Sequence, residues 1–184
     1  MKAPPEILTK RLTLSTPRRS DASAIFDGYA SNPEVTLYLG WPRHRSLTDT
    51  EAFLNFSTEQ WQHWPAGPYV IRLRSNGQII GSTGFGFEAS DQASTGYVLA
   101  KEVWGQGYAT EALAAIVDAA PPIGLARLYA LCHPEHRASW RVLEKCGFAR
   151  ESRWSKQIEF PNLEAGTLQD VLCYGLDLKK PGAG

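Results

Sequence analysis

The sequence predicts an α/β domain built on a single mixed, mostly antiparallel sheet of about seven strands with helices on both faces. The chain has 184 residues, 43% of them hydrophobic, which suits one domain with a sizeable core. Some segments alternate apolar and polar residues, as strands do, and others carry apolar residues three and four apart, as helices do. These segments follow the order β-α-α-β-β-β-α-β-α-β-β, which fits one sheet covered by helices and fits neither a bundle nor a sandwich. The domain is predicted to span residues 1–178, with a frayed tail at 179–184.

The N-terminal half is predicted to start with a strand and to continue with helices. Residues 8–15 have the period of a strand, with one face formed by Leu8, Lys10, Leu12 and Leu14 and the other by Thr9, Arg11, Thr13 and Ser15. A Ser-Asp pair then caps a helix over residues 20–29, and the Asn-Pro pair at 32–33 interrupts it. A short helical piece follows at 35–39. A longer helix is predicted from Thr48 to the turn at 65–67, with Phe53, Leu54 and Phe56 facing the core.

The centre of the chain is predicted to form a hairpin. Asn76 and Gly77 join two alternating apolar runs at 68–74 and 78–87, and Asn-Gly favours a tight turn because both residues accept positive φ. Beyond the hairpin, strands are predicted at 95–100, at 128–132, after Phe148 and at 168–176, and helices after Gly107 and at 137–146.

Composition excludes several classes of protein. Lys plus Arg and Asp plus Glu number 19 each, so the chain lacks the basic excess typical of proteins that bind nucleic acid or anionic membranes. No apolar run approaches the roughly 20 residues that a membrane span needs, and the N-terminus MKAPPEILTKRL does not resemble a secretory signal. The three cysteines are widely spaced, which predicts reduced thiols, and no second Cys/His group completes a metal site. We therefore expect a cytoplasmic protein without metal.

The most informative segment is a strand that leads through two glycines into a helix. It reads YVLAKEVWGQGYATEAL, and the helix carries apolar residues at the spacing of one face packed on a sheet. The first turn of a helix presents backbone N–H groups without partners, and the helix dipole adds partial positive charge there. Gly105 and Gly107 allow the backbone to approach a ligand closely. This pattern predicts an anion site suited to phosphate, although a turn without any ligand remains the plain alternative.

Two common phosphate motifs do not fit this turn. A Walker loop requires Lys-Ser or Lys-Thr after its glycines, and Thr110 and Glu111 stand there instead. The dinucleotide motif G-x-G-x-x-G requires a third glycine where Thr110 stands.

Beyond the turn, the sequence resembles the GCN5-related N-acetyltransferase (GNAT) superfamily. GYVLAKEVWGQGYATEAL and LARLYALCHPEHRASWRVLEKCGF carry the resemblance, and RLTL, SNPEVTLYLGW and QDVLCYGL fit its branch of bacterial ribosomal-protein N-terminal acetyltransferases (RimJ/RimL-like). The resemblance implies the GNAT acyl-CoA acyltransferase fold and acetyl-CoA as cosubstrate. It implies that the turn cradles the pyrophosphate and that the preceding strand binds the pantetheine arm and diverges from the next strand. The residues assigned to acetyl-CoA binding are Val98, Leu99, Trp104, Gly105, Gln106, Gly107, Tyr108, Ala109, Thr110 and His136. Trp104 replaces the Gln or Arg that the superfamily has.

The resemblance also suggests one catalytic residue. The branch has an N-x-x-S pattern whose serine is held to protonate the departing thiolate, and here the four residues from His136 to Ser139 match it with His in place of Asn. On a helix, Ser139 falls inside the apolar stripe and needs a partner. The hydroxyl can bond a ligand sulfur or a backbone carbonyl, or it can cap the helix.

The acceptor and the general base are less clear. Tyr38, Trp41 and His44 lie on the irregular segment where the superfamily places its acceptor, and they are assigned to substrate binding. The stretch that carries a Glu in some members is Ala-Ser-Thr-Gly here, which leaves Glu88 and Asp91 acting through water as candidates. An α-amine has a reference pKa near 8 and a lysine side chain one near 10.4, so more of the α-amine is already deprotonated at neutral pH and a weaker base suffices.

The sequence therefore predicts an N-acetyltransferase that transfers acetyl directly to a primary amine, either a protein N-terminus or a small molecule. The alternatives are an acyltransferase that uses a longer acyl group such as succinyl, and a CoA-binding regulatory protein without catalytic activity. The oligomeric state stays open, with a homodimer among the options.

Overall fold

A computed structural model describes residues 1–151 and 157–178. Within these ranges the strands are β1 (Glu6–Leu8), β2 (Leu12–Ser15), β3 (Pro68–Leu73), β4 (Ile79–Phe87), β5 (Gln92–Leu99), β6 (Arg127–Cys132), β7 (Ala149–Glu151), β8 (Gln157–Glu159), β9 (Leu168–Asp170) and β10 (Leu172–Asp177). The helices are α1 (Ala22–Ile25), α2 (Pro33–Thr36), α3 (Leu47–His63), α4 (Tyr108–Ala119) and α5 (Arg137–Lys145). The predicted tail at 179–184 lies outside the described residues.

Eight strands form one sheet in the order β1-β2-β3-β4-β5-β6-β10-β7. In the described part of this sheet, β5 and β6 pair in parallel, and the other neighbours pair antiparallel. The predicted mixed, mostly antiparallel sheet is thus confirmed. Strands β8 and β9 form a separate two-stranded sheet. The central strands are the most buried, and Leu12, Ile71, Ile80 and Leu128 have no exposed surface.

The predicted strand at 8–15 is instead a hairpin of β1 and β2. The backbone N–H of Thr9 donates to the carbonyl of Leu12 at 2.9 Å, which closes a tight turn. Leu8, Leu12 and Leu14 keep a spacing of even numbers across the turn, and the turn contains neither Gly nor Pro, so the sequence pattern does not reveal it. The predicted strand at 168–176 likewise divides at Val171 into β9 and β10, which belong to different sheets.

The helical prediction for the N-terminal half needs three corrections. Residues 20–29 form a tight turn at Arg19–Asp21, the short helix α1 and a wider π-helical turn at Phe26–Ala30. The piece predicted at 35–39 is α2 and begins earlier, because the Asn32 side chain accepts the N–H groups of Glu34 and Val35 and caps it. Phe56 on α3 was expected in the core but is 50% exposed.

The hairpin and the later helices follow the sequence prediction closely. β3 and β4 are joined at the predicted Asn-Gly turn, where Gly77 has a φ of +74°. Helix α4 packs on the sheet through Ala112, Leu113 and Ile116, which are fully buried. Helix α5 packs beside it, and its Cys146 thiol approaches the Thr110 carbonyl of α4 at 3.6 Å. No helix in the described ranges is both long enough and apolar enough to cross a bilayer.

Candidate active site

The central feature of the site is the place where β5 and β6 stop pairing. They pair only at Gln92, Ala93 and Ser94, so the remainder of β5 has no partner on that side. The N–H of Ala100 donates to Ile80 of β4 at 2.8 Å. Because backbone groups in an antiparallel pair alternate between the two sides of a strand, the N–H and C=O of Leu99, Tyr97 and Thr95 face away from β4. These groups line the opening between β5 and β6.

A cavity of about 290 Å³ occupies this opening, and we call it the gap cavity. It is lined by residues of β4, β5, β6, α5 and the segment before α3, among them Tyr38, Trp41, Tyr97, Val98, His136 and Ser139. Val98 pairs with Ser82, so its backbone groups face β4 rather than the opening. Six of the sequence-assigned site residues, counting Leu99 beside the opening, therefore lie around one space.

The glycine turn lies where β5 ends. Gly105 and Gly107 have φ values of +75° and +80°, a left-handed conformation that L side chains rarely adopt. The first hydrogen bond of α4 runs from Glu111 N to Gly107 O at 3.1 Å. The N–H groups of Tyr108, Ala109 and Thr110 precede it and remain available for an anion. A Cβ on Gly105 would meet no atom within 4 Å, so the outer side of the turn is open.

Trp104 ties the end of β5 to this turn. Its indole Nε1 donates to the Leu99 carbonyl at 2.8 Å, while the ring itself is 47% exposed. The carbonyl of Leu99 is thereby occupied, which leaves its N–H as the free backbone group at this level of the opening. The side chain of Gln106 donates to Glu102 O at 3.2 Å and points back along the chain. Gln106 therefore offers a ligand its backbone rather than its side chain.

Arg11, which is not among the site residues predicted from the sequence, supports the turn from the β1–β2 hairpin. Its Nη1 donates to Gln106 O at 2.9 Å, its Nε donates to Glu111 at 2.7 Å, and its guanidinium lies 4.2 Å from the centre of the Tyr108 ring. Its Nη2 lies 3.5 Å from where a Cβ on Gly107 would be. A cation thus stands beside the predicted anion site. Nothing local in the sequence signals this, because Arg11 and Gln106 are 95 residues apart.

Glu111 would otherwise place a negative charge in the first turn of α4, next to the anion site. Thr9 Oγ1 and the backbone N–H of Arg11 donate to one of its oxygens at 2.6 and 2.7 Å, and Arg11 Nε donates to the other. Although burial acts to raise it, the pKa of Glu111 is lowered because of these bonds from Thr9 and Arg11. The carboxylate is therefore charged but compensated by Arg11.

Ser139 and Tyr97 lie together beside the gap cavity. Ser139 is half-buried on α5, and both it and Tyr97 of β5 line the gap cavity, near enough for Ser139 to influence the Tyr97 hydroxyl. Burial raises the pKa of Tyr97 to about 12, although the neighbouring Ser139 hydroxyl acts in the opposite direction. Tyr97 is accordingly a neutral hydroxyl at physiological pH and a proton donor. In the sequence Tyr97 stands out only as part of the motif, because strand periodicity does not show which residue meets α5.

Two histidines and Tyr38 form a stack at another wall of the gap cavity. The Tyr38 ring lies 4.9 Å from His133 and 5.0 Å from His136, both nearly parallel to it. Burial lowers the pKa of His136, and the neighbouring His133 lowers it further, so its imidazole is neutral at physiological pH. His136 stands at the start of α5 but makes no side-chain capping bond. It is half-buried and faces the cavity rather than capping the helix from solvent.

A second and larger cavity of about 580 Å³ lies beyond Trp41, and we call it the outer cavity. Trp41 and Ser82 line both this cavity and the gap cavity. His44 lines it, with its ring 5.2 Å from Trp41 and its Nδ1 2.9 Å from the hydroxyl of Thr50, which is fully buried. Burial lowers the pKa of His44, and Asp49 acts in the opposite sense.

Asn162 holds this segment in place. Its side-chain amide donates to the carbonyls of Thr36 and Trp41 at 2.7 and 2.9 Å, and its carbonyl accepts the N–H of Arg43 at 2.8 Å. Three bonds from one side chain therefore fix the loop that carries Trp41 and His44. Asn162 lies 119 to 126 positions from these residues in the chain, so no local pattern in the sequence identifies it.

Neither carboxylate considered as a base lines either cavity. Glu88 accepts a hydrogen bond from the Tyr129 hydroxyl, and both lie near the closed end of the β5–β6 pair. Asp91 contacts Ala126 and Arg127 through its backbone carbonyl. The three cysteines are free thiols, and burial raises the pKa of Cys132 to about 12. Within residues 1–151 and 157–178, no three His, Cys, Asp or Glu side chains are grouped as metal ligands.

Comparison with known proteins gives consistent matches over most of the chain. The sequence model of a family described as an acetyltransferase (GNAT) domain matches residues 11–149. An uncharacterized N-acetyltransferase, p20 of Bacillus licheniformis, is 27% identical over 181 residues, which cover 97% of this chain and 98% of the relative. Another, YoaA of Bacillus subtilis strain 168, is 31% identical over 150 residues, which cover 80% and 84%. The solved structure of RimL, a ribosomal L7/L12 α-N-protein acetyltransferase in complex with coenzyme A, superposes with a TM-score of 0.77 at 20% identity, covering 94% of this chain and 97% of RimL.

Proposed function

This chain belongs to the GNAT family of acetyltransferases, and from that premise we propose that it transfers the acetyl group of acetyl-CoA to a primary amine by direct attack. The observation that carries the proposal is the position of the gap cavity. It opens where β5 leaves β6, and β5 leads through a short 3-10 turn at Lys101–Val103 into the glycine turn and α4. A long ligand with a phosphate at one end and an extended arm at the other fits that arrangement.

In this proposal each part of the cosubstrate has a distinct set of partners. The N–H groups at the start of α4 bind the pyrophosphate, with the guanidinium of Arg11 beside them. The backbone of β5, at Leu99 and Tyr97, bonds the amide groups of the pantetheine arm as a missing strand would. Val98 and His136 contact the arm through their side chains, since both line the gap cavity. The thioester then lies near Ser139 and Tyr97.

The chemical step requires one proton to leave the amine and one to reach the sulfur. The amine nitrogen attacks the thioester carbonyl carbon, a C–N bond forms, and the C–S bond breaks to release a thiolate. Ser139 and Tyr97 stabilise the sulfur, and Tyr97, which keeps its proton because burial raises its pKa, donates that proton through Ser139 or directly. Tyr97 recovers a proton from solvent after the thiol has left.

The acceptor amine enters from the outer cavity past Trp41 and Ser82, which border both cavities. His44 stands next to Trp41 with an imidazole that is neutral at pH 7, because burial lowers its pKa. A neutral imidazole accepts the proton that the ammonium must lose before attack. RimL acts on an α-amino group according to its name, and its likeness in fold supports an α-amine acceptor here as well.

Thiol release from acetyl-CoA in the presence of α-amino peptides, free amines and amino acids tests this function. Turnover with any of these amines is expected, together with binding of acetyl-CoA in calorimetry. Binding without turnover would instead indicate a regulatory CoA-binding protein. Succinyl-CoA assayed with the same amines tests the alternative acyl group, and a kcat/KM above that of acetyl-CoA would overturn the assignment of the acyl donor.

A further inference from the structure

The outer cavity has the size and the walls of a small-molecule site. At about 580 Å³ it holds twice the volume of the gap cavity, within the range of pockets that take drug-sized ligands. Its walls are mainly apolar and come from the first helical segment and from α3: Ile25, Tyr29, Ala30, Ala52, Phe53 and Phe56. Phe56 is half exposed at this cavity although it is a large aromatic side chain. Such a wall favours an apolar group on the ligand.

Two arginines also line the outer cavity, and their charges are unmatched. Arg43 and Arg45 use their backbone N–H groups to bond Asn162 and Asp49, but within the described ranges neither guanidinium has a hydrogen-bond or ion-pair partner. Among the described residues one carboxylate lines the cavity, that of Asp49, and it already accepts the N–H groups of Arg45 and Ser46 and the Ser46 hydroxyl. These bonds lower the pKa of Asp49, which caps α3 and does not neutralise either arginine. The cavity therefore carries an excess of positive charge.

The two cavities are adjacent, and this determines which end of a bound molecule carries the reacting amine. Trp41 and Ser82 line both cavities, so a molecule bound in the outer cavity can extend its amine past them toward the gap cavity. The remainder of the molecule then stays among the aromatic side chains of α3 and the arginines. A second positive charge on the ligand, as in a polyamine, would lie next to Arg43 and Arg45 and be repelled.

We propose that the acceptor is an α-amine with an apolar side chain next to the amine and an acidic group one residue further on, as in the N-terminus of an acidic peptide. This specificity rests on the proposed acetyl transfer and defines its second substrate. Phe53 and Phe56 contact the apolar group, and Arg43 and Arg45 pair with the acid. Exposed ion pairs are weak, so we expect discrimination by charge rather than very tight binding.

Three dipeptide amides test this directly: Phe-Glu-NH₂, Phe-Gln-NH₂ and Phe-Lys-NH₂. They share the same α-amine and the same aromatic side chain, and they differ in one charge. The kcat/KM values should fall in the order Glu, Gln, Lys, by about fivefold at each step, as expected for a partly exposed charge pair. Gly-Glu-NH₂ should be poorer than Phe-Glu-NH₂ because it lacks the apolar group. Equal kcat/KM values for the three peptides, or a higher value for Phe-Lys-NH₂, would overturn the proposal.

Matched variants connect the ranking to the cavity. In the Arg43→Gln/Arg45→Gln double variant the preference for Glu over Gln should fall to about one, since both unmatched charges are gone. Arg19→Gln is the control, because Arg19 is exposed and lines neither cavity. A ranking that survives in the double variant contradicts the role of these arginines. If no dipeptide is acetylated while other amines are, the acceptor class is wrong and the transferase function stands. If acetyl-CoA is not bound in calorimetry, the proposed function itself fails.

Discussion

Replacement of Arg11 by alanine removes the cation beside the glycine turn. Arg11 makes three kinds of contact there, with the carbonyl of Gln106, the carboxylate of Glu111 and the face of Tyr108. Without it, the negative charge of Glu111 remains in the first turn of α4 with Thr9 as its one side-chain partner. A pyrophosphate bound at the N-terminus of α4 then loses an attractive charge and meets a repulsive one. We therefore expect weaker binding of CoA.

The size of the effect follows from distance and exposure. A unit charge about 5 Å from a phosphate charge contributes about 0.8 to 3.3 kcal/mol as the effective dielectric constant falls from about 80 to about 20. The Arg11 side chain is 40% exposed, so solvent screens it and the lower part of that range applies. A loss of about 1 to 2 kcal/mol corresponds to a rise of about five- to thirtyfold in the Kd for CoA.

Calorimetry with CoA measures this change, and a truncated substrate separates ligand binding from folding. Acetyl-pantetheine carries the thioester and the arm but no phosphate, so the loss of kcat/KM in Arg11→Ala should be at least fivefold smaller with it than with acetyl-CoA. Arg74→Ala is the matched control, because Arg74 bonds the Thr9 and Lys10 carbonyls of the same hairpin and does not reach the turn. Equal losses with the two substrates would refute the argument and make Arg11 a structural residue only.

Three further predictions concern the same site. Gly107→Val forces a β-branched residue to a φ of +80° in the anion site, which should cost about 1 to 2 kcal/mol of stability and raise the Kd for CoA more than tenfold. Gly124→Val is the control, because Gly124 has a φ of +92° and lines neither cavity. This control should lose a similar amount of stability but keep its affinity for CoA in calorimetry. Ser139→Ala should lower kcat by about ten- to a thousandfold with little change in CoA affinity. Tyr97→Phe should have the same effect, because Tyr97 supplies the proton in the proposed mechanism. If kcat is unchanged when chemistry is rate-limiting, the residue concerned has only a structural role. Glu111→Gln should make the protein less stable to urea at neutral pH. Because the pKa of Glu111 is lowered in the folded state, the charged carboxylate stabilises the fold above pH 4.5, and this stabilisation is lost as the pH falls below 4.5. The difference in stability between wild type and variant should therefore shrink at acidic pH, and a difference that does not change with pH would contradict the ion pair.

Local pattern predicted most of the elements that form the site. The alternation in 68–87 with Asn-Gly at its centre, the strand before the glycine turn and the helix after it all appear where expected, because each depends on residues within a few positions. The N-terminal elements were predicted less well. The turn between β1 and β2 is made by ordinary residues, and the wide turn at Phe26–Ala30 has no sequence signature. Phe56 was placed in the core from its spacing alone, and it instead lies half exposed at the outer cavity.

The sequence by itself determined the order of the elements, the glycine turn at the start of α4 and the resemblance to the GNAT superfamily, which implies acetyl transfer. These features are local, since a φ of +75° at Gly105 or the period of a helix needs no distant partner. The tertiary structure decided which side chains meet. Arg11 reaches Glu111 across 100 residues, Tyr97 reaches Ser139 across the opening, and Asn162 holds the loop of Trp41. The length over which β5 and β6 pair was also settled there, because register and twist depend on the whole sheet and not on either strand alone.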